Sequence, residues 1–122
     1  MVAATLSKSE RLCGKTAIAG LMEHGKGGSA GCLRYRYLPG GGVEVSRILV
    51  SVPKRFFKRA VKRNFLKRRI RESYRLQKDI LPVPVDIAFL YQAREVLSYA
   101  DIYAAMTAAL TAISSKTQTP EP

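Results

Sequence analysis

Apolar residues recur at helical spacing near the start of the chain. Ser7 and Glu10 have the spacing of a capping box, in which each side chain bonds the other's free backbone amide, so a helix is expected to begin there. It should run to about His24, because Gly25 is a favourable residue for ending a helix. The stripe expected to face the core is Cys13, Ala17 and Leu21.

The pattern then changes to the alternation that is typical of β-strands. Residues 25–31 (GKGGSAG) are expected to be a loop, and residues 32–38 (CLRYRYL) alternate as a strand does. After a turn at residues 39–42, residues 43–52 predict a second strand paired to the first, or two shorter strands that part near Ser46. The first strand should carry Tyr35 and Tyr37 on one face and Arg34 and Arg36 on the other.

A basic helix follows Pro53, which has no amide donor to continue a strand. The helix is expected over about residues 58–77. Val61 and Phe65 form an apolar pair one turn apart, and the pattern leaves open whether they are buried. The main core stripe comprises Leu66, Ile70, Tyr74 and, beside them, Ser73.

The last third of the chain predicts one strand and one helix. Residues 86–91 (DIAFLY) are typical of a buried strand, and Ser98 can cap a helix over about residues 99–113. Residues 114–122 are expected to be a disordered tail. The order α-β-β-(β)-α-β-α therefore predicts a small α+β sandwich, with residues 1–113 as a single domain. The inner face of the last helix should carry Ile102, Met106, Ala109 and Ile113.

Positive charge is concentrated on one element. Of the 21 Lys and Arg residues, 11 lie between Pro53 and Arg75, where Glu72 is the single acid, so this stretch carries +10 of the net +12. Positive charge concentrated in this way most often faces a polyanion. Binding a polyanion through several phosphates releases counterions, so the affinity is expected to fall steeply with salt.

The sequence shows no chemistry typical of a protein-borne active site. Its one histidine, His24, has no acid or nucleophile partner nearby, and GKGGSAG lacks the order of a phosphate-binding loop. Cys13 and Cys32 lack metal-ligand spacing; buried free thiols are expected, and a disulfide between them stays open. No long apolar run or secretory signal is evident, so a cytoplasmic location is expected. We expect neither catalytic residues nor a metal site in the protein.

Several functions compete for the basic helix. A merely solvated face would hold its cations in mutual repulsion, and a membrane-surface or calmodulin-binding helix needs a broader apolar face. DNA recognition lacks an evident reading helix with short polar side chains. RNA fits better, because arginine forks suit phosphates and Asn64 can contact a base edge or a 2′-hydroxyl. A second RNA contact is expected beside Lys15, on the apolar or stacking surface of Ile18, Met22, Tyr35 and Tyr37.

The segment of residues 60–72, AVKRNFLKRRIRE, resembles the motif A-V-x-R-N-R-x-K-R-x-x-R-E of the protein subunit of bacterial ribonuclease P. The upstream ILVSVPKR is similar to the apolar strand that runs into Lys and Arg in that family. The resemblance covers about residues 8–113. It implies that the basic helix lies in a left-handed β-α-β crossover. In the N-terminal helix, the positions at the family's spacing are Arg11, Leu12, Ile18, Met22 and Gly25.

The chain also departs from the family's pattern. Phe65 stands where the third residue of the Arg-Asn-Arg motif is Arg, so one cation is missing. Ile18 and Met22 stand where the family usually has aromatic residues in its cleft. The loop of residues 55–58 (RFFK) has no Gly, which the family often has there.

The resemblance implies a mechanism. The RNA subunit is the catalyst, uses Mg²⁺ and cleaves precursor tRNA at the 5′ end of the mature sequence, while the protein binds that RNA and holds the single-stranded 5′ leader. No protein partner and no membrane are implied. The expected contacts with the RNA subunit are Lys54, Arg55, Lys58, Lys62, Arg63, Asn64, Lys67, Arg68 and Arg71. The expected leader cleft is formed by Lys15, Ile18, Met22 and Tyr35. The alternatives are a structural, ribosome-type RNA-binding protein without a catalytic partner and a membrane-active basic helix.

Overall fold

The computed structural model describes residue 12 and residues 15–39, 46–81 and 84–117. The element order is α-β-β-β-α-β-α, with a short 3-10 helix after the second α-helix. It agrees with the predicted α+β class, but the additional strand lies at Lys26–Ala30 and does not come from a division of residues 43–52. The elements are helix α1 (Lys15–His24), strands β1 (Lys26–Ala30), β2 (Leu33–Pro39) and β3 (Arg47–Ser51), helix α2 (Ala60–Gln77), the 3-10 helix (Lys78–Ile80), strand β4 (Val85–Tyr91) and helix α3 (Tyr99–Thr117).

The four strands form one mixed sheet in the order β1-β2-β4-β3. β1 and β4 each pair antiparallel with β2, whereas β3 pairs parallel with β4, so α2 is the crossover between two neighbouring parallel strands. The prediction that β3 pairs with β2 is therefore wrong. Arg47 lies opposite Asp86 and donates two hydrogen bonds to its carboxylate, at 2.9 and 2.7 Å, which favours the observed register. The left hand of the crossover stays a prediction.

The core lies on the face of the sheet that α2 and α3 cover. Tyr35 and Tyr37 belong to this face and are buried, while Arg34 on the opposite face is exposed, as the alternation predicts. The ring of Tyr74 on α2 packs 6.4 Å from that of Phe89 on β4, measured between centroids. Helix α1 crosses the other face, where Arg36 Nε donates a hydrogen bond to the carbonyl of Leu21 (3.3 Å). Because α1 is the only helix described on that face, part of the face stays open.

Strand β1 occupies the glycine-rich segment that was expected to be a loop. Its five residues pair with the first five residues of β2, and a turn at Gly31, whose φ is 55°, connects the two strands. Gly28 lies opposite Tyr35, and a Cβ atom at Gly28 would lie 2.4 Å from the end of the Tyr35 ring. The aromatic ring thus fills the space that a side chain on β1 would need, which explains how such a weak strand former is held in the sheet.

The ends of two helices differ from the prediction. The start at Ser7 is wrong, because Leu12 is not helical and its amide donates a hydrogen bond to the carbonyl of Ile48 on β3 (2.8 Å). The capping-box residues themselves lie outside the described residues. Helix α3 reaches Thr117, so residues 114–117 of the predicted tail are helical; the stretch has no Gly or Pro, and Lys116 favours a helix C-terminus. Residues 118–122 lie outside the description.

Several other sequence predictions for the fold are confirmed. Helix α2 begins two residues later than expected and ends at the predicted residue, and its four core residues are all buried. Ser98 caps α3, since its hydroxyl accepts a hydrogen bond from the amide of Asp101 (3.2 Å). The predicted inner face of α3 is completely buried. Cys32 is a buried free thiol, whereas Cys13 lies outside the described residues.

Candidate nucleic-acid interface

The outer face of α2 and the turn before it form a continuous cationic surface. Because Leu66 and Ile70 turn one side of the helix into the core, Asn64 and Arg68 on the opposite side point to solvent. We define the basic surface as Lys54, Arg55, Lys58, Arg59, Lys62, Asn64, Lys67, Arg68 and Arg71. Leaving Arg71 aside, its cations form no ion pair with a carboxylate among the residues that the structure describes. Carboxylates within the described ranges therefore leave most of the charge of this surface unpaired.

Arg63 is turned away from this surface and toward the preceding turn. Its Nη1 donates hydrogen bonds to the carbonyls of Phe57 (2.8 Å) and Lys58 (2.9 Å). The amides of Phe56 and Phe57 in turn donate to the carbonyl of Pro53, at 3.3 and 3.2 Å. These bonds hold the segment between β3 and α2 in a compact turn. The two bonds from its Nη1 make Arg63 a positioning residue for the neighbouring cations, and its expected contact with RNA stays a prediction.

Arg94 joins the basic surface, although it lies far from the basic stretch in sequence. The guanidinium carbons of Arg55 and Arg94 lie 4.9 and 5.0 Å from the centroid of the Phe56 ring, so one aromatic ring is in contact with two cations. Arg94 also lines a cavity of about 410 Å³ together with Lys58, Lys62 and neighbouring residues. The sequence carries no signal for this residue, because it is an isolated cation after β4.

A groove of about 710 Å³ lies on the open face of the sheet, beside α1. Met22, which is 46% exposed, contributes from α1, and Arg34 and Arg36 contribute from β2. The strands also supply apolar and small side chains, so the groove combines guanidinium groups with an apolar lining. The lining residues from β3 and β4 are Leu49, Ser51, Ala88, Phe89 and Leu90.

Of the other residues expected in the leader cleft, two do not line the groove and one only borders it. Lys15 is exposed and Ile18 half-buried on α1, and neither lines the groove. Tyr35 borders the groove but is only 7% exposed, because its side chain lies on the covered face of the sheet. Burial also raises the pKa of the Tyr35 hydroxyl, which keeps the phenol neutral. The sequence analysis did not assign the two cations of the groove, Arg34 and Arg36, to a binding site. Their alternation with Tyr35 and Tyr37 was the signal that could have placed them there.

The described residues carry neither a metal-binding cluster nor a membrane-spanning helix. Among the described residues, no group of three or more His, Cys, Asp or Glu side chains could hold a metal ion. No helix in the described ranges is long and apolar enough to span a membrane. His24 is an exposed residue whose Nε2 lies 3.6 Å from a carboxylate oxygen of Glu23. The exposed groups of both surfaces are thus suited to binding.

The fold and these two surfaces together define a nucleic-acid-binding α+β protein. The family model described as Ribonuclease P matches residues 6–114. A ribonuclease P protein component from Porphyromonas gingivalis strain W83 is 38% identical over 118 residues, which cover 89% of this chain and 86% of that protein. One from Chlorobaculum tepidum is 36% identical over 105 residues, covering 73% of this chain and 68% of the relative.

Solved structures agree on the fold. The ribonuclease P protein of Staphylococcus aureus superposes with a TM-score of 0.76 at 20% identity, covering 87% of this chain and 96% of the other. That of Thermotoga maritima gives a TM-score of 0.73 at 23% identity, with coverages of 84% and 96%. The chain belongs to the ribonuclease P protein family.

Proposed function

We propose that this chain binds the RNA subunit of ribonuclease P through the basic surface and the 5′ leader of precursor tRNA through the groove. Membership of the family makes the chain a subunit of an endoribonuclease of tRNA processing and implies partnership with ribonuclease P RNA. The observation that carries the proposal is the basic surface, whose cations, leaving Arg71 aside, form no ion pair with a carboxylate within the described residues. Such a surface is stabilised when phosphates neutralise it.

The groove suits a single-stranded segment rather than a duplex. A single strand exposes the faces of its bases, which can lie on apolar side chains such as Met22 and Leu90. Arg34 is exposed at the groove and can pair with a backbone phosphate or stack on a base. Where the family has aromatic residues, the groove thus offers the apolar side chain of Met22 and, in addition, the cation of Arg34.

The two surfaces lie close enough to act on one complex. Ser51 lines the groove, and the basic turn begins two residues later at Pro53. Two residues span at most roughly 7 Å of extended chain, so an RNA strand leaving the groove passes near the basic surface. The protein can therefore hold the leader beside the RNA subunit, which raises the affinity of the assembled enzyme for precursor tRNA.

The catalytic step belongs, in this proposal, to the RNA subunit, which would bind the Mg²⁺ ions. The two surfaces support this division, because their exposed groups are mainly cations, amides and apolar side chains that bind phosphates and bases. In the described ranges no histidine lines either cavity, and the one carboxylate that does, Glu95, lies beside Lys58, Lys62 and Arg94. The cytoplasm, where tRNA precursors are made, is the proposed location.

The experiment is cleavage of precursor tRNA by the cognate catalytic RNA at low Mg²⁺, with and without the protein. Strong stimulation with correct 5′ ends is expected. Tight, salt-sensitive RNA binding without stimulation would instead favour a structural, ribosome-type RNA-binding protein. Binding to anionic vesicles with no preference for folded RNA would favour a membrane-active helix.

The groove is tested separately by Met22→Asp, which places a negative charge against the leader. We expect this variant to lose affinity for precursor tRNA but to bind mature tRNA, which has no leader, as the wild type does. Glu23→Gln on the same helix is the control, because Glu23 is exposed and does not line the groove. Equal losses for precursor and mature tRNA would remove the groove from the proposal.

A further inference from the structure

The flank of α2 that faces α3 carries an exposed aromatic ring in contact with a cation. Phe65 is 40% exposed, and the guanidinium carbon of Arg69 lies 4.4 Å from its ring centroid. The same guanidinium carbon lies 5.8 Å from the ring centroid of Tyr99 on α3. These residues and Arg68 surround a shallow cavity of about 450 Å³, which we call the aromatic shelf.

The aromatic shelf is positively charged, although Glu72 also lines it. Arg75 donates two hydrogen bonds to the Glu72 carboxylate, at 3.1 and 2.7 Å, and these bonds lower the pKa of Glu72. The carboxylate is therefore already paired with a cation outside the shelf. The charge that remains on the shelf is that of Arg68 and Arg69, which attracts an anionic ligand.

The position of Phe65 sets this chain apart from the pattern of the family it belongs to, in which that residue is Arg. The open question of whether the Val61 and Phe65 pair is buried is settled, because both side chains are exposed. The two differ in what they contact: Val61 is 78% exposed, whereas Phe65 is stacked with Arg69 and lies beside a second arginine. An exposed ring that lies next to Arg69 and to Arg68, which belongs to the basic surface, offers a base-stacking position.

We propose that the aromatic shelf binds an unpaired nucleobase of the RNA subunit, which stacks on Phe65 while Arg68 contacts the adjoining phosphate. The inference rests on the proposed function, because it assumes that the RNA subunit covers the outer face of α2. RNA is favoured over a protein surface because the shelf has no unpaired carboxylate and continues into the basic surface through Arg68. Stacking on Phe65 replaces the phosphate contact that an arginine would make at this position.

The first test compares affinities for the RNA subunit over a range of salt concentrations. Phe65→Leu keeps apolar bulk against Arg69 but removes the aromatic face, so the affinity should fall at least about 5-fold. The slope of log affinity against log salt should not change, because stacking releases no counterions. Arg68→Ala should instead lower the slope by about one. Val61→Ala is the matched control, since it truncates an exposed apolar residue one turn away and should bind as the wild type does.

The second test uses the absence of tryptophan from the chain. Phe65→Trp introduces the only tryptophan of the chain, which can be excited selectively over its six tyrosines. Its emission should be quenched when the RNA subunit binds, because a base stacks on the indole. Leu76→Trp on the same helix is exposed but lies outside the shelf, and it should be quenched much less. Equal quenching of both would overturn the shelf as a stacking site.

These measurements separate the failure of this inference from that of the proposed function. If Arg68→Ala weakens binding but Phe65→Leu does not, the shelf does not stack a base and the RNA-binding function stands. If the wild type itself shows no preference for the RNA subunit, the proposed function fails. If RNA leaves the emission of the Phe65→Trp variant unchanged and self-association of the protein quenches it, the shelf is a protein interface and the inference is wrong.

Discussion

Arg63 and Arg68 are two cations of one helix motif that the structure assigns to different tasks. Arg63 is half-buried and bonds the carbonyls of the turn before α2, whereas Arg68 is exposed with no partner among the described residues. Replacing either arginine with Ala removes the same charge and the same side-chain atoms. The two variants therefore compare a residue that holds the turn before α2 with a residue that is proposed to contact the RNA.

The expected loss of stability follows from the two hydrogen bonds of Arg63. A hydrogen bond to a charged group contributes about 1.5–3 kcal/mol net, and one of these two bonds is exposed to solvent. We therefore expect Arg63→Ala to lower the free energy of unfolding by about 1.5 kcal/mol, which corresponds to roughly 5 °C in Tm for a domain of this size. Arg68→Ala should change the free energy of unfolding by less than about 0.5 kcal/mol, because its side chain is on the surface.

Thermal unfolding and RNA titration decide between the two roles. Both variants should bind the RNA subunit more weakly, but only Arg63→Ala should also unfold at a lower temperature. The reasoning is refuted if Arg63→Ala unfolds like the wild type and flattens the salt dependence as Arg68→Ala does. That result would mean that the Arg63 side chain leaves the turn and contacts a phosphate directly.

Two further predictions concern the sheet and its buried thiol. Gly28→Ala should lower the free energy of unfolding, measured by urea denaturation, by about 1–3 kcal/mol, because the new methyl group overlaps the Tyr35 ring. Gly27→Ala is the control, because no atom lies nearer than 3.7 Å to a Cβ at that position. An equal loss in both variants would refute the packing argument. Burial raises the pKa of the Cys32 thiol and shields it from solvent. In a Cys13→Ser background, a thiol reagent at neutral pH should therefore label Cys32 much more slowly in the native protein than in urea. Equal labelling rates would show that Cys32 is accessible in the native protein.

The sequence predicted best those elements whose burial depends on a single repeating face. Helix α2 was placed within two residues, because the spacing of Leu66, Ile70 and Tyr74 puts all three on one face of a helix. Strand β4 was placed within one residue, because its short apolar run is typical of a buried strand. The buried face of α3 was found for the same reason. Its C-terminal end was missed, because a polar composition resembles that of a tail while residues 114–117 can still continue a helix.

Contacts that depend on the folded chain could not be predicted from the local sequence pattern. Strand β1 was missed because glycine is a weak strand former, and it is held by the Tyr35 ring that lies across Gly28. In the candidate site, the charge of α2 was evident from composition. The direction of the Arg63 side chain was not, because it depends on carbonyl groups that only the folded turn brings together. The groove residues Arg34 and Arg36 were assigned to a face but not to a site.

The parallel pairing of β3 with β4 explains why the basic surface gains a cation from outside the basic stretch. Parallel neighbours end at the same edge of a sheet, and Ser51 near the end of β3 lies opposite Leu90 near the end of β4. The turn that follows β3 and the segment that follows β4 therefore meet at that edge, where Arg55 and Arg94 contact the same Phe56 ring. If β3 had paired with the free side of β2, as the sequence suggested, β2 would have lain between β3 and β4, and the two segments would have been one strand further apart. The crossover through α2 thus both supplies the basic helix and gathers cations from two separate parts of the chain onto one end of the sheet.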